Sequence, residues 1–502
     1  MEQINNSKRL FKNTIVLYVR MVITMLIALY TSRVVLAQLG VSDYGLYNVV
    51  GGVVALFSFM QTSMTSATQR FLSFELGKAD KERLSDMFSM SLTTHIILSG
   101  IILILCETIG LWFLNSKINI PEGREVAANW LYQFSVFTLS INMIVVPFSA
   151  CVISHERMTI FAYISIIDSI MKLCIALSLI YAPFDKLIFY GVLMMSISFV
   201  NLIIYRVICR KRFPETKYRL FFDKKMFLQI FSFSGWTLLG QLAVVGAGQG
   251  TTILTNIFHS VTANAAMGIA QQANGAISGL VSNFQTAYQP QITKSYAVGN
   301  WHYLYSLIYN ASKVSYFLLF IVSLPIIFNI DWLLSLWLGN VPEYTSEFVI
   351  YFLIASMLNA IGGPLWMSVF ASGKIRNYQI ASSITFLFDI VLVYLLFAMG
   401  MSPIAAVLAK VFTNFIVIFV RLVYARHCVQ GFSVRQYCYK VLVPILISSF
   451  ISFLASYILF STLYGVIGQI IATIVCVAIS TSSVYFIALN QDERKAIFKI
   501  LK

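Results

Sequence analysis

The sequence predicts an all-α membrane protein of about fourteen transmembrane helices: two six-helix lobes related by a parallel repeat, plus two extra C-terminal helices. Three observations predict it. The chain is 59% hydrophobic and only 11% charged, with a mean hydropathy of +0.81, whereas soluble domains are roughly a quarter charged. Apolar runs of about 20 residues recur along the whole chain between polar turns. The 35 Lys and Arg against 20 Asp and Glu also gather in alternate connections.

Taken in order, the spans are 13–36, 46–68, 86–113, 126–152, 160–181, 187–209, 226–257, 263–289, 304–330, 346–371, 377–399, 403–425, 440–463 and 466–489. The tail "MEQINNSKRLFK" is basic and precedes an apolar run too long for a cleavable signal, so the first span is expected to be retained with its tail inside. With that orientation the inner segments hold Lys8, Arg9 and Lys12, then Arg70, Lys78, Lys81 and Arg83, then Arg157, then the basic stretch 206–225, and finally Lys294, Lys374, Arg376, Arg421, Arg426, Arg435, Lys440, Arg494, Lys495, Lys499 and Lys502. The outer side receives only Arg33, Lys117, Arg124 and Lys186. Basic residues accumulate in cytoplasmic loops, so both termini are expected in the cytoplasm. The outer connections are all short.

The domains expected are an N-terminal lobe over 1–208, a basic cytoplasmic linker over 209–225, a C-terminal lobe over 226–427, and two further helices with a tail over 428–502. "LGVSDYGLYNVVGGV" (39–53) is echoed by "FHSVTANAAMGIAQQ" (258–272), and "RFLSFELGKAD" (70–80) by "PQITKSYAVGNW" (290–301). Six spans separate the paired elements, an even number, so the halves face the same way across the membrane. Such repeats enclose a cleft, and substrates bind at the repeat interface.

Nothing points to an enzyme. The seven cysteines contain no CxxC pair, so neither a zinc site nor a disulfide framework is indicated. No HExxH, paired-carboxylate or Ser/His/Asp pattern stands out. The basic excess reads as membrane topology rather than nucleic-acid binding.

Ionisable groups inside the spans are the candidates for function, because each costs about 2.5–3.5 kcal/mol at the bilayer centre on insertion scales. Arg20 and Lys313 have no obvious partner within their own helices; either could snorkel to the headgroups, and the alternative, a water-filled cleft, is the expectation carried forward. Asp168 and Lys172 are four apart and can neutralise each other on one helix face. Asp389 and Lys410 lie at comparable depth on adjacent spans and can pair across them. With His95, these two pairs are the candidates for ion coupling. Gln271, Asn274, Ser278, Gln285 and Gln289 form a polar stripe on one face of span 8; the alternative for that stripe is helix–helix hydrogen bonding. Gln241 and Gln249 stand in span 7, beside "VVGAGQGTT" (244–252), whose glycines suit close packing or a bend. A cleft with basic and amide groups but few acids suits an anionic, sugar-bearing or headgroup-bearing cargo.

The block "TSRVVLAQLGVSDYGLYNVVGGVVALFSFM", followed by "ATQRFLSFELGKAD" and echoed by "YQPQITKSYAVGN", resembles the polysaccharide-biosynthesis flippases of the MOP superfamily, the Wzx-type O-antigen and capsule translocases. The resemblance implies a non-enzymatic transporter of the bacterial cytoplasmic membrane. Its cargo would be an undecaprenyl-pyrophosphate-linked oligosaccharide for O-antigen, capsule or exopolysaccharide synthesis, moved by alternating access. It implies no cofactor beyond coupling to H+, Na+ or the membrane potential. The implied partners are the lipid-linked anionic oligosaccharide, membrane lipids, a glycan polymerase and glycosyltransferases. Arg20, with Lys313 second, would counter the pyrophosphate, while Gln271, Asn274, Ser278 and Gln241 would meet sugars. Two sister families share this layout. MATE-type drug exporters typically carry an acid in helix 1, where this chain has Arg20 and no Asp or Glu; lipid II flippases carry an early basic pattern that does not line up here. A membrane scaffold without transport activity is the reading from a different class.

Overall fold

The computed structural model describes residues 2–55, 58–117, 120, 122–182, 184–219, 221–463, 465–491 and 493–494. The side chains of Lys8 and Lys117, and residues Lys495, Lys499 and Lys502, lie outside that description.

Among the described residues the structure is all-helical. The first unit comprises residues 12–238 and the second residues 1–11 and 239–502. Through the first unit run α1 (Glu2–Ala55), α2 (Ser58–Lys78), α3 (Lys81–Leu105), α4 (Leu111–Lys117), α5 (Glu125–Ser154), α6 (Met158–Ser178) and α7 (Lys186–Arg212). The helix α8 (Lys224–Phe258) leads into the second unit. There follow α9 (Val261–Val298), α10 (Trp301–Phe328), α11 (Ile330–Leu338), α12 (Thr345–Ser372), α13 (Arg376–Ala398), α14 (Ile404–Cys428), α15 (Val434–Tyr437), α16 (Val443–Thr462) and α17 (Gly465–Ser483).

Twelve of the described helical segments are long and apolar enough to cross a membrane, which makes this a multi-pass membrane protein. The two expected spans outside those twelve are 46–68 and 263–289. The first falls across residues 56–57, outside the description, with helix on both sides; the second lies within α9. Both are rich in Ser, Thr, Asn and Gln, which lowers their hydropathy.

Local chemistry sets the boundaries. The continuous helix α1 is broken at Gly40, whose backbone (φ 78°, ψ 168°) is a conformation essentially confined to glycine. Asp80 caps α3 through the Arg83 N–H at 3.0 Å, and Asp185 caps α7 through the N–H groups of Leu187 and Ile188. Ser260 caps α9 through the Ala263 N–H at 3.1 Å. Left-handed Gly299 ends α9 and Asn300 starts α10. These side chains satisfy backbone donors that a helix start leaves over.

The repeat is written into these bounds. α3 and α10, α5 and α12, α6 and α13, and α7 and α14 begin about 220 residues apart. Within the first unit α5 packs against α2, α3 and α7; within the second α12 packs against α9, α10 and α14. These are the enclosed centres of their units. Leu131, Val136 and Met143 are buried on α5, and Phe348, Leu353 and Leu365 on α12.

Candidate functional site

One face of α6 gathers the polar groups of the first unit. Phe161, Ser165, Asp168 and Lys172 follow at steps of four, three and four, so they line a single stripe. The Arg20 side chain of α1 lies over the start of it. Its guanidinium is 4.9 Å from the Phe161 ring centroid, and Nη1 donates to Ser165 Oγ at 3.5 Å. A cation over an aromatic face recovers part of the solvation lost in an apolar helix. One turn further along, Lys172 Nζ pairs with Asp168 at 2.7 Å. From α7, Asn201 Nδ2 donates to the other Asp168 oxygen at 2.6 Å, and Tyr205, one turn on, lies within electrostatic reach of both Arg20 and Asp168.

The strip therefore holds two cations and one carboxylate at membrane depth, with Ser165, Asn201 and Tyr205 as neutral hydrogen-bonding groups. Asp168 is committed to Lys172 and Asn201. The sequence anticipates the Asp168–Lys172 pair from its spacing, and it singles out Arg20. It misses Ser165, Asn201 and Tyr205, although the spacing of 161, 165, 168 and 172 is a helical period that could have been read.

The candidates in the second unit are placed differently. Lys313 was expected to face a wet cleft, and the structure corrects this. It is 2% exposed, with Nζ at 2.6 and 2.7 Å from the two carboxylate oxygens of Glu493 and 3.4 Å from the Ala488 carbonyl. Its counter-ion comes from the segment after the last helix, 180 residues along the chain, where no spacing rule reaches. The amide stripe of α9 divides. Asn274 Oδ1 accepts from Ser356 Oγ of α12 at 2.8 Å and from Ser278 Oγ at 3.4 Å. Gln285 Nε2 donates to Ser315 of α10 at 3.4 Å. Those residues are helix–helix fastenings. Gln271 is exposed and Gln241 half-buried.

The expected Asp389–Lys410 pair is not a direct contact. Asp389, 4% exposed, accepts from Thr413 at 2.8 Å, while Lys410 lies 4.9 Å from the Phe352 ring centroid. His95 is fully buried, its Nδ1 2.8 Å from the Ser91 carbonyl. Arg421, which the charge distribution assigns to the inner side, is instead an interior group. It is 6% exposed and donates from Nη1 to the Asn359 side-chain and backbone oxygens at 2.9 and 3.2 Å.

Two of the basic residues expected outside, Arg124 and Lys186, are fixed on the first unit. Arg124 bridges Asp43 of α1 and Asp185 at the start of α7. Lys186 Nζ reaches the Gln38 carbonyl at 3.3 Å. Partial burial opposes ionisation of Asp185, but the Arg124 hydrogen bond, the capping N–H groups and the Arg124 charge outweigh it. The carboxyl is held below its ordinary value.

A multidrug-resistance MATE transporter of the MOP superfamily, in an outward-facing conformation, superposes with a TM-score of 0.72 at 15% identity, covering 85% of this chain and 96% of its own. A Vibrio cholerae MATE transporter, VcmN in its bent form, gives 0.70 at 15% identity over 87% and 98%. A MOP-superfamily transporter of Pyrococcus furiosus, described as having a binding pocket of reverse polarity, gives 0.69 at 14% over 85% and 96%. At such identities these likenesses establish the fold. Comparison with curated protein sequences returned no match. Residues 10–296, more than half of the chain, match the family described as polysaccharide biosynthesis protein, and the chain belongs to that family.

Proposed function

We propose that this protein is a flippase for undecaprenyl-pyrophosphate-linked oligosaccharides in a bacterial cytoplasmic membrane, working by alternating access with both termini in the cytoplasm. It is not an enzyme in this reading. The observation that supports it is the guanidinium of Arg20 on a polar face of a membrane helix, in a chain of the polysaccharide biosynthesis family. Arg20 and Lys172 outnumber Asp168 on that strip, so its formal charge is positive. A pyrophosphate there gains charge-assisted hydrogen bonds that strengthen as water is excluded. Ser165, Asn201 and Tyr205 are suited to the first sugar, and Gln241 and Gln271 remain the amides we assign to more distant sugars. Lys313 is withdrawn from the binding set, since Glu493 neutralises it.

Drug export driven by cations is the rival on the same fold. It asks for an acid in the first membrane helix, and Lys12–Gly40 has none. The Pyrococcus neighbour, whose pocket of reverse polarity suggests a different function, is a precedent for this architecture beyond drug export.

Outward movement of each negative charge is favoured by an inside-negative potential, by about 2.3 kcal/mol per 100 mV. We infer that the potential suffices, with Asp389 and Lys410 the pair to test for H+ or Na+ coupling. The test is leaflet location. Deleting the gene should trap lipid-linked repeat units in the inner leaflet, and the purified protein in vesicles should expose them under an imposed potential. Units already exposed outside in the deletion strain would indicate a scaffold for glycosyltransferases or a polymerase. Transport of organic cations instead would indicate an exporter.

A further inference from the structure

We propose that Cys151, His155 and Glu215 form a binding site for one zinc-class divalent cation. The absence of a CxxC pair argues against zinc in the sequence, but here the donors come from two separated segments of the first unit, the end of α5 and the turn after α7. Cys151 lies in the last turn of α5 and His155 just beyond its end, one helical turn later. Glu215 belongs to the single turn Pro214–Thr216 that follows α7.

The sulfur, one imidazole nitrogen and one carboxylate oxygen of these residues all lie within 4.8 Å of one another. Cys151 Sγ is 3.8 Å from Glu215 Oε1, which His155 Nε2 contacts directly. Donors around tetrahedral zinc stand about 3.3–3.8 Å apart, given metal–ligand lengths near 2.0–2.3 Å. The cluster therefore needs only the Glu215 carboxylate to draw back from the imidazole for an ion to enter between them.

Charge and hardness select the ion. A thiolate and a carboxylate together cancel a dication, so the site gains no net charge on filling. Mixed sulfur, nitrogen and oxygen donors favour zinc over magnesium or calcium, which take oxygen. Orientation is built in: the His155 ring stacks on Phe213 at 4.3 Å between centroids, and the Ser85 hydroxyl reaches the Glu215 carbonyl at 3.5 Å. His155 is the most open of the three donors, at 24% side-chain exposure, and gives an ion its way in. An occupied site would pin the segment after α7 to the end of α5.

The test uses the tag-free, full-length protein in detergent, stripped with a chelator and then titrated with Zn2+ or Co2+. The expected result is one metal per chain after gel filtration and a thiolate-to-cobalt charge-transfer band. Cys151→Ser and Glu215→Gln should each weaken binding at least tenfold while eluting as the same monodisperse species, and Cys428→Ser should leave it unchanged. No stoichiometric metal in the wild-type protein, or binding undiminished in both site variants, would overturn the proposal and leave a hydrogen-bonded ion pair beside a thiol.

Discussion

Gly40 and Ser260 stand at matching places in the two halves of the chain, each where the long first helix gives way to the next. In the first unit the break depends on a glycine backbone that other residues rarely adopt. In the second it is a serine cap on an ordinary extended residue. The same contrast holds for charge. Arg20 of α1 corresponds to the neighbourhood of Gly240 and Gln241 on α8, and Lys313 of α10 to the neighbourhood of Thr93 on α3. The spacing of the later helices repeats, from α3 and α10 onward; the cations do not. What is duplicated is the scaffold that apolar patterning specifies, and what differs is the polar equipment each copy acquired.

The largest expected effect lies at Lys313. Replacing it with Ala strips the 17% exposed Glu493 carboxylate of its counter-ion, and Glu493→Gln leaves the 2% exposed Lys313 ammonium without one, which costs about 3–5 kcal/mol. Thr93→Val, at the matching place in the first unit, should cost at most about 1 kcal/mol. Thermal unfolding of the solubilised protein compares them, and equal losses would mean that the two units carry equivalent interior charge.

The two breaks come next. Gly40→Ala forces a side chain into a strained backbone, worth about 1–3 kcal/mol, whereas Ser260→Ala loses one cap, worth about 1 kcal/mol. If the serine variant proves the more damaging, the assignment of these two devices is wrong.

Arg124→Ala should cost about 1–2 kcal/mol by freeing Asp43 and Asp185. The Asp185 carboxyl is held below its ordinary value, so this stability is fully present above about pH 4. It is lost as pH falls through the lowered value. The gap between wild type and variant should therefore close in acid. A gap that stays constant would remove the carboxylates from the interaction.

The smallest effect is Lys172→Met. It breaks an i,i+4 pair whose lysine is 42% and whose aspartate is 23% exposed, and Asn201 still holds Asp168. Stability should barely move, and a large loss would show that Lys172 supports the fold rather than the strip.

These contrasts explain what the sequence discloses. Membrane spans are legible because lipid demands about 20 apolar residues per crossing, and the halves are legible because their motifs recur. The Asp168–Lys172 pair is legible because helical periodicity is local. Lys313–Glu493 and Arg124–Asp185 are not, since each joins residues far apart in sequence and depends on tertiary packing. The α9 amides read as a wet stripe because periodicity gives a face without telling what covers it; Ser356 and Ser315 cover part of this one.

Transport by Arg20 variants in a flippase-deficient strain tests the central claim most directly, with protein levels matched. At equal abundance, Arg20→Ala should lower surface glycan roughly tenfold or more, the worth of a charge-assisted hydrogen bond, and Arg20→Lys should recover part of it. Full glycan export by the alanine variant would contradict the account.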